Sequence, residues 1–180
     1  MSNMMKWEHG NTWYRVIGDL QSGKTPVIVL HGGPGAGHNY VIPIAEQIAQ
    51  TGRATILYDQ IGCGNSTHLP EAPKEFWTPE LFMEELVLLT QHLGIADKYA
   101  IIGQSWGGML GMQFAITRPD GLTSLVVADS PASMKIWVSE ANKLRDLLPP
   151  DDFGSLMGAM AFIYSIGSGV APIIAGHLND

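Results

Sequence analysis

Cysteine is nearly absent from this 180-residue chain: Cys63 stands alone, so no internal disulfide framework can form, and the composition fits a reducing compartment. Positive charge is scarce too. Ten Lys and Arg residues face 17 Asp and Glu, which leaves a formal net charge of −7. The basic residues form no cluster, so nucleic acids and anionic membrane surfaces would be repelled, and neither is expected as a partner. No metal site or cofactor is assigned. The N-terminus, MSNMMKWEHG, reaches Trp7 and several charges before any apolar stretch and so lacks the core of a secretory signal. A cytoplasmic location is expected. What the chain does have is apolar residues, 46% of the total, enough to fill one sizeable core.

Those apolar residues are arranged in short continuous runs separated by amphipathic stretches. Residues 12–18 alternate as an early strand, and "PVIVL" (26–30), "ATILYD" (54–59), "YAIIG" (99–103) and "LTSLVVAD" (122–129) read as strands, the continuous runs among them as strands covered on both faces. Between them lie helical patterns. Asn39 is placed to cap a helix through Gln50 with Val41, Ile44, Ala45 and Ile48 on one stripe, and Gly52 ends it. Thr78, Pro79 and Glu80 open a second helix, along which Phe82, Leu86, Leu89 and Leu93 recur until Gly94. A glycine-rich helix runs from Ser105 to about Arg118. Strands alternating with helices predict an α/β fold with a mostly parallel sheet and helices on both faces.

Two glycine-rich stretches follow strands directly. In "IIGQSWGG" (101–108) Ser105 lies between Gly103 and the pair Gly107 and Gly108 where strand gives way to helix, the setting of a nucleophile elbow. Side chains at those glycines would collide in so sharp a turn. The turn lifts the Ser105 hydroxyl off the sheet and leaves the Trp106 N–H, at a helix N-terminus, facing a developing oxyanion. The plainer alternative makes Ser105 a simple helix N-cap. In "HGGPGAGHN" (31–39) a backbone N–H can approach a substrate without an intervening side chain; Gly33 is the first choice of donor and Gly32 the second.

Together "HGGPG" (31–35), "YDQIGCGNS" (58–66) and "GQSWGG" (103–108), in this order and at these separations, resemble the proline iminopeptidase family of α/β-hydrolases over about residues 13–150. The resemblance implies Ser105 as nucleophile, the N–H groups of Gly33 and Trp106 as oxyanion hole, and cofactor-free removal of an N-terminal residue, proline favoured, from peptides or amino-acid amides through an acyl-enzyme. Asp59 reads as an anchor for the loop at 62–66 rather than a catalytic acid, and Cys63 as a small packed residue. His31 and His38 read as loop-shaping groups; His9, His68 and His92 read as surface groups.

A serine nucleophile needs a base, and in this fold the acid and the histidine follow the serine. After Ser105 the only histidine is His177, and the carboxylate best placed by its position after a strand is Asp129; both are weak candidates. The expected organisation is a partial α/β-hydrolase core at 1–130 that stops before the last strands, the start of a helical cap at 131–152, and an atypical apolar helical tail at 153–180. Residues 153–178 carry no formal charge and include Gly154 and Gly158, so they are read either as a membrane segment or as a buried helix pair. The ending "GVAPIIAGHLND" is similar to a helix end of a major-facilitator transporter. Two alternatives to hydrolysis remain: a catalytically incompetent fragment or fusion product lacking the triad acid and histidine, and a dinucleotide-binding module. For the second, Asp59 follows the glycines at about the right distance, but His38 stands where the third glycine belongs and Pro34 stiffens the loop.

Overall fold

The computed structural model describes residues 2–147 together with Pro149 and Asp152. The tail at 153–180, with His177, lies outside the described residues. Strands β1 (Ser2–Trp7) and β2 (Gly10–Ile17) form a hairpin, followed by β3 (Val27–Leu30), α1 (Ile42–Ala49), β4 (Thr55–Tyr58), α2 (Pro79–His92), β5 (Tyr99–Gln104), α3 (Trp106–Ile116), β6 (Leu122–Ala128) and α4 (Met134–Asp146). The six strands make one sheet in the order β1-β2-β4-β3-β5-β6. From β4 to β6 all neighbours run parallel, while β2 is antiparallel to both β1 and β4.

The two central strands are buried on both sides, as their continuous apolar runs require. Ile28, Leu30, Ile56, Tyr58 and Ile101 point to one face, where Phe82, Leu86 and Leu89 of α2 and Leu110 and Phe114 of α3 cover them. Val29 and Leu57 point to the other face, under Val41 and Ala45 at the start of and within α1. Each such fully buried Leu or Ile contributes about 1.5–3 kcal/mol of transfer free energy.

The first strand pair departs from the sequence expectation. The sequence does not mark β1 as a strand, because only Met5 of its side chains is recognisably buried while Met4 stays half exposed, too little alternation. Pairing supplies the rest: Glu8 and His9 make a two-residue turn that sets Trp7 opposite Gly10. Asn39 does not cap the next helix either. It opens a single 3-10 turn, Asn39–Val41, without a side-chain cap bond, and Pro43 starts α1 behind it.

The chain order positions the site. From β3, α1 carries the chain to β4 on one side, and α2 returns it to β5 on the other, so β3 lies between them. The loops leaving β3 and β5 diverge to opposite faces, which opens a crevice at the carboxyl edge of the sheet. No helix among the described residues is long and apolar enough to cross a membrane.

Candidate active site

Parallel pairing sets Leu30 opposite Gly103. Two residues further on along each chain, Gly32 and Ser105 therefore come side by side, and a side chain on Gly32 would begin 3.0 Å from the Ser105 Cβ. Ser105 itself has φ 54° and ψ −120°, a left-handed region that costs a residue bearing a Cβ on the order of 1–3 kcal/mol. The surroundings impose it. The Ser105 N–H donates to the Ala128 carbonyl at 2.9 Å, and the Ser105 carbonyl accepts from Gly108 and Met109 at 3.0 and 3.2 Å. A Cβ on Gly103 would strike the Gly107 carbonyl, and one on Gly107 the carbonyls of Leu30 and His31. Gly108 packs in the same way on the Ser130 hydroxyl.

Ser105 occupies the N-cap position of α3, yet its side chain makes no capping bond. The simple-cap reading therefore fails, and among the described residues the Ser105 hydroxyl has no hydrogen-bond partner. The Trp106 N–H is the first of α3 and has no intrahelical acceptor. Across the crevice Gly33 has φ 118°, and a Cβ there would meet the N atoms of Gly35 and Ala36 at 2.5 and 2.7 Å. The second-choice donor, the Gly32 N–H, is already donated to the Tyr40 hydroxyl. That hydroxyl in turn donates to Gln104 Oε1 at 2.6 Å, so Tyr40 ties the glycine loop to the residue before Ser105.

The histidines near the loop are engaged elsewhere. His31 is fully buried; its Nδ1–H donates to the Gly32 carbonyl at 2.8 Å, while Nε2 accepts from the Gln60 N–H at 3.1 Å. Burial, outweighing the Gly32 bond, lowers its pKa and keeps the ring neutral. His38 stacks on Trp13 with centroids 4.0 Å apart and meets Asp59 Oδ1 through Nδ1 at 2.8 Å. Asp59 is fully buried: Oδ1 also accepts the His38 N–H at 2.7 Å, and Oδ2 accepts the Asn65 N–H at 2.8 Å. It holds both loops together and is unavailable to a ribose hydroxyl, which removes the basis for a dinucleotide site. Cys63 is buried, its thiol donates to the Gln60 carbonyl at 3.0 Å, and burial pushes its pKa well up, so it is packed and unreactive. Asp129 lies exposed just beyond β6 with φ 48°.

Three residues that the sequence did not single out help build the site. Besides Tyr40, Gln60 is 1% exposed and lies between the loop after β3 and the elbow. Its Oε1 accepts from the Trp106 indole N–H at 2.8 Å, and its Nε2 donates to the His31 carbonyl at 3.3 Å. Glu85 is fully buried and accepts the Thr12 hydroxyl and the Ile61 N–H, the latter at 2.9 and 3.1 Å from its two oxygens. Its sequence signal was a carboxylate in step with the apolar stripe Phe82, Leu86, Leu89; a charge on a buried stripe marks either an error or a structural partner.

A sheet with this strand order, a strained serine between β5 and α3, and a glycine loop pressed against it define an α/β-hydrolase. A family model described as the alpha/beta hydrolase fold matches residues 25–163, and the chain belongs to that family. The particular relatives it resembles are proline iminopeptidases. It is 39% identical over 149 residues to the proline iminopeptidase of Lactiplantibacillus plantarum, a match covering 82% of this chain and 51% of that one. Among solved structures, the proline iminopeptidase of Mycobacterium smegmatis superposes with a TM-score of 0.76 at 46% identity, over 89% of this chain and 54% of that one. The structure of VinJ superposes with a TM-score of 0.82 at 50% identity, again over 89% and 54%. The chain thus spans about half the length of the relatives it matches.

Proposed function

We propose that this chain carries the nucleophile and oxyanion half of a serine hydrolase of the proline iminopeptidase type. Ser105 Oγ attacks the carbonyl carbon of the N-terminal residue of a small peptide or amino-acid amide, with proline favoured at that position. The carbonyl π electrons move to oxygen, and the resulting oxyanion is received by the N–H groups of Gly33 and Trp106. Collapse expels the amine, to which a general acid returns the serine's proton, and leaves an acyl-enzyme that water then cleaves. The observation that carries the reading is the left-handed backbone of Ser105 (φ 54°) facing the glycine loop, since strain of this kind persists where the surroundings enforce it. The names of the relatives support the peptidase class and the preference for proline.

One observation favours a second reading. The described histidines nearest the glycine loop, His31 and His38, are committed to Gly32, Gln60 and Asp59, so neither is free to take the Ser105 proton. On that reading the chain binds and presents a carbonyl but does not turn it over. A fluorophosphonate probe applied to the 180-residue chain and to Ser105→Ala, beside assays on prolyl and alanyl anilides, separates the two. Serine-dependent labelling with anilide release supports the hydrolase. Labelling without release, or no labelling at all, supports the second reading, and labelling that survives Ser105→Ala overturns both.

A further inference from the structure

Gln60 touches both walls of the oxyanion crevice at once. Its amide orientation follows from its partners: an indole nitrogen only donates and a peptide carbonyl only accepts, so Oε1 must face Trp106 and Nε2 must face His31. Trp106 carries one of the two oxyanion amides on its own backbone. The His31 carbonyl belongs to the peptide joining His31 to Gly32, one peptide before the Gly33 N–H. A third contact, from the Gln60 N–H to His31 Nε2, fixes the ring whose other nitrogen donates to the Gly32 carbonyl. The base of this bridge is itself clamped, since the next residue, Ile61, donates its N–H to both oxygens of buried Glu85.

We infer that Gln60 is a positioning residue that sets the separation between the Gly33 and Trp106 amides, coupling the glycine loop to the serine elbow through one buried carboxamide. The inference rests on the reading of Ser105 as nucleophile. The two amides sit on separate loops that the β3–β5 ladder and the packing of Gly107 on the His31 carbonyl bring together; within that packing Gln60 is the side chain that joins the His31–Gly32 peptide to Trp106. Two donors stabilise one oxygen only if both reach it together, and a displacement of about 1 Å costs on the order of 100-fold in rate. Tyr40 bridges the same loops on their exposed side, accepting the N–H of that same His31–Gly32 peptide, but its other bond goes to the Gln104 side chain and does not reach Trp106.

The test uses the rate of Ser105 phosphonylation, whose adduct places an oxygen where the oxyanion would sit, and the amide and indole 15N–1H resonances of Gly33 and Trp106. Gln60→Met keeps the volume and removes both side-chain bonds; it is expected to slow labelling at least 10-fold and to shift both amide resonances. Gln60→Glu regains both bonds when its carboxyl is protonated, so its labelling should recover toward the unsubstituted rate as pH falls, a profile that a purely structural loss would not produce. Trp106→Phe removes only the indole end, and it is expected to shift the Gly33 amide across the crevice. Combined with Gln60→Met it should cost less than the product of the single losses. Unchanged labelling in Gln60→Met, or a Gly33 resonance unmoved in Trp106→Phe, overturns the inference. If the unsubstituted chain does not label at all, the nucleophile reading fails by itself, and the Gly33 resonance in Trp106→Phe still decides whether the two loops are coupled through Gln60. If Gln60→Met fails to fold, the pH profile of Gln60→Glu and the Trp106→Phe spectrum decide instead.

Discussion

Glu85 is a carboxyl placed where a hydrocarbon would be expected, and its energetics follow from that position. Burial pushes its pKa up to about 8 from an ordinary 4.5; the bonds from Thr12 and Ile61 oppose this without cancelling it, and the negative charge of Asp59 adds to it. The unfolded chain gives up this proton near 4.5 and the folded chain only near 8, so in that window the folded form binds more protons and loses stability as pH rises. One proton corresponds to a slope of about 1.4 kcal/mol per pH unit within the window. Glu85→Gln, which keeps the acceptor for Thr12 and Ile61, should flatten that slope; urea midpoints measured from about pH 5 to pH 8 would expose a variant that still declines like the parent. A second residue-scale expectation concerns glycines of α3. A Cβ on Gly107 meets the fixed carbonyls of Leu30 and His31, whereas one on Gly111 meets Leu125 Cδ1 at 2.8 Å, the end of a side chain that can rotate. Gly107→Ala should cost on the order of 1–3 kcal/mol, and Gly111→Ala should be near neutral because the gain in helix propensity offsets the repacking. Equal losses in urea titrations would contradict this account of the elbow.

Two of the helices make contrasting use of their N-terminal residues. Thr78 caps α2, its hydroxyl accepting the Leu81 N–H at 3.4 Å with Pro79 behind it, while Asn39 makes no such bond because the chain first turns through a 3-10 segment. Thr78→Ala should therefore cost about 0.5–1 kcal/mol and Asn39→Ala nothing measurable by thermal melting; a loss at Asn39 equal to that at Thr78 would restore the capping role the sequence suggested. This contrast shows what was legible beforehand. The runs at 27–30 and 55–58 suited strands covered on both faces, and "GQSWGG" a tight turn at its glycines, because each depends on local sterics and burial. Ser105, Gly33 and Trp106 could be named as candidates for the same reason: the glycines beside them set the turns that would present one hydroxyl and two N–H groups. Gln60, Tyr40 and Glu85 could not, since each depends on at least one partner 24 to 73 positions away that only the assembled sheet brings near. β1 carries no clear sequence mark because an edge strand of a hairpin takes its definition from pairing rather than from its own pattern.

At the scale of the whole molecule the sheet is unevenly finished. At one end β1 and β2 close it with a hairpin whose outer strand carries the charged Lys6, a common protection for an edge. At the other end β6 pairs only with β5 among the described residues, and it presents Val126 at 54% and Val127 at 43% exposure on opposite faces, with Ile116 of α3 nearby in sequence at 73%. Among the described residues the outer edge of β6 is unpaired and carries apolar side chains on both faces, which makes it a template for association. The 180-residue chain should therefore sediment faster as its concentration rises. Val126→Lys and Val127→Lys place charge on each face of the strand without disturbing a buried contact, so each should reduce the concentration dependence while leaving the melting temperature within a few degrees of the parent. If both variants associate as strongly as the parent, the contact is not made through β6, and the hairpin end of the sheet or the exposed Trp137 face of α4 becomes the surface to substitute next.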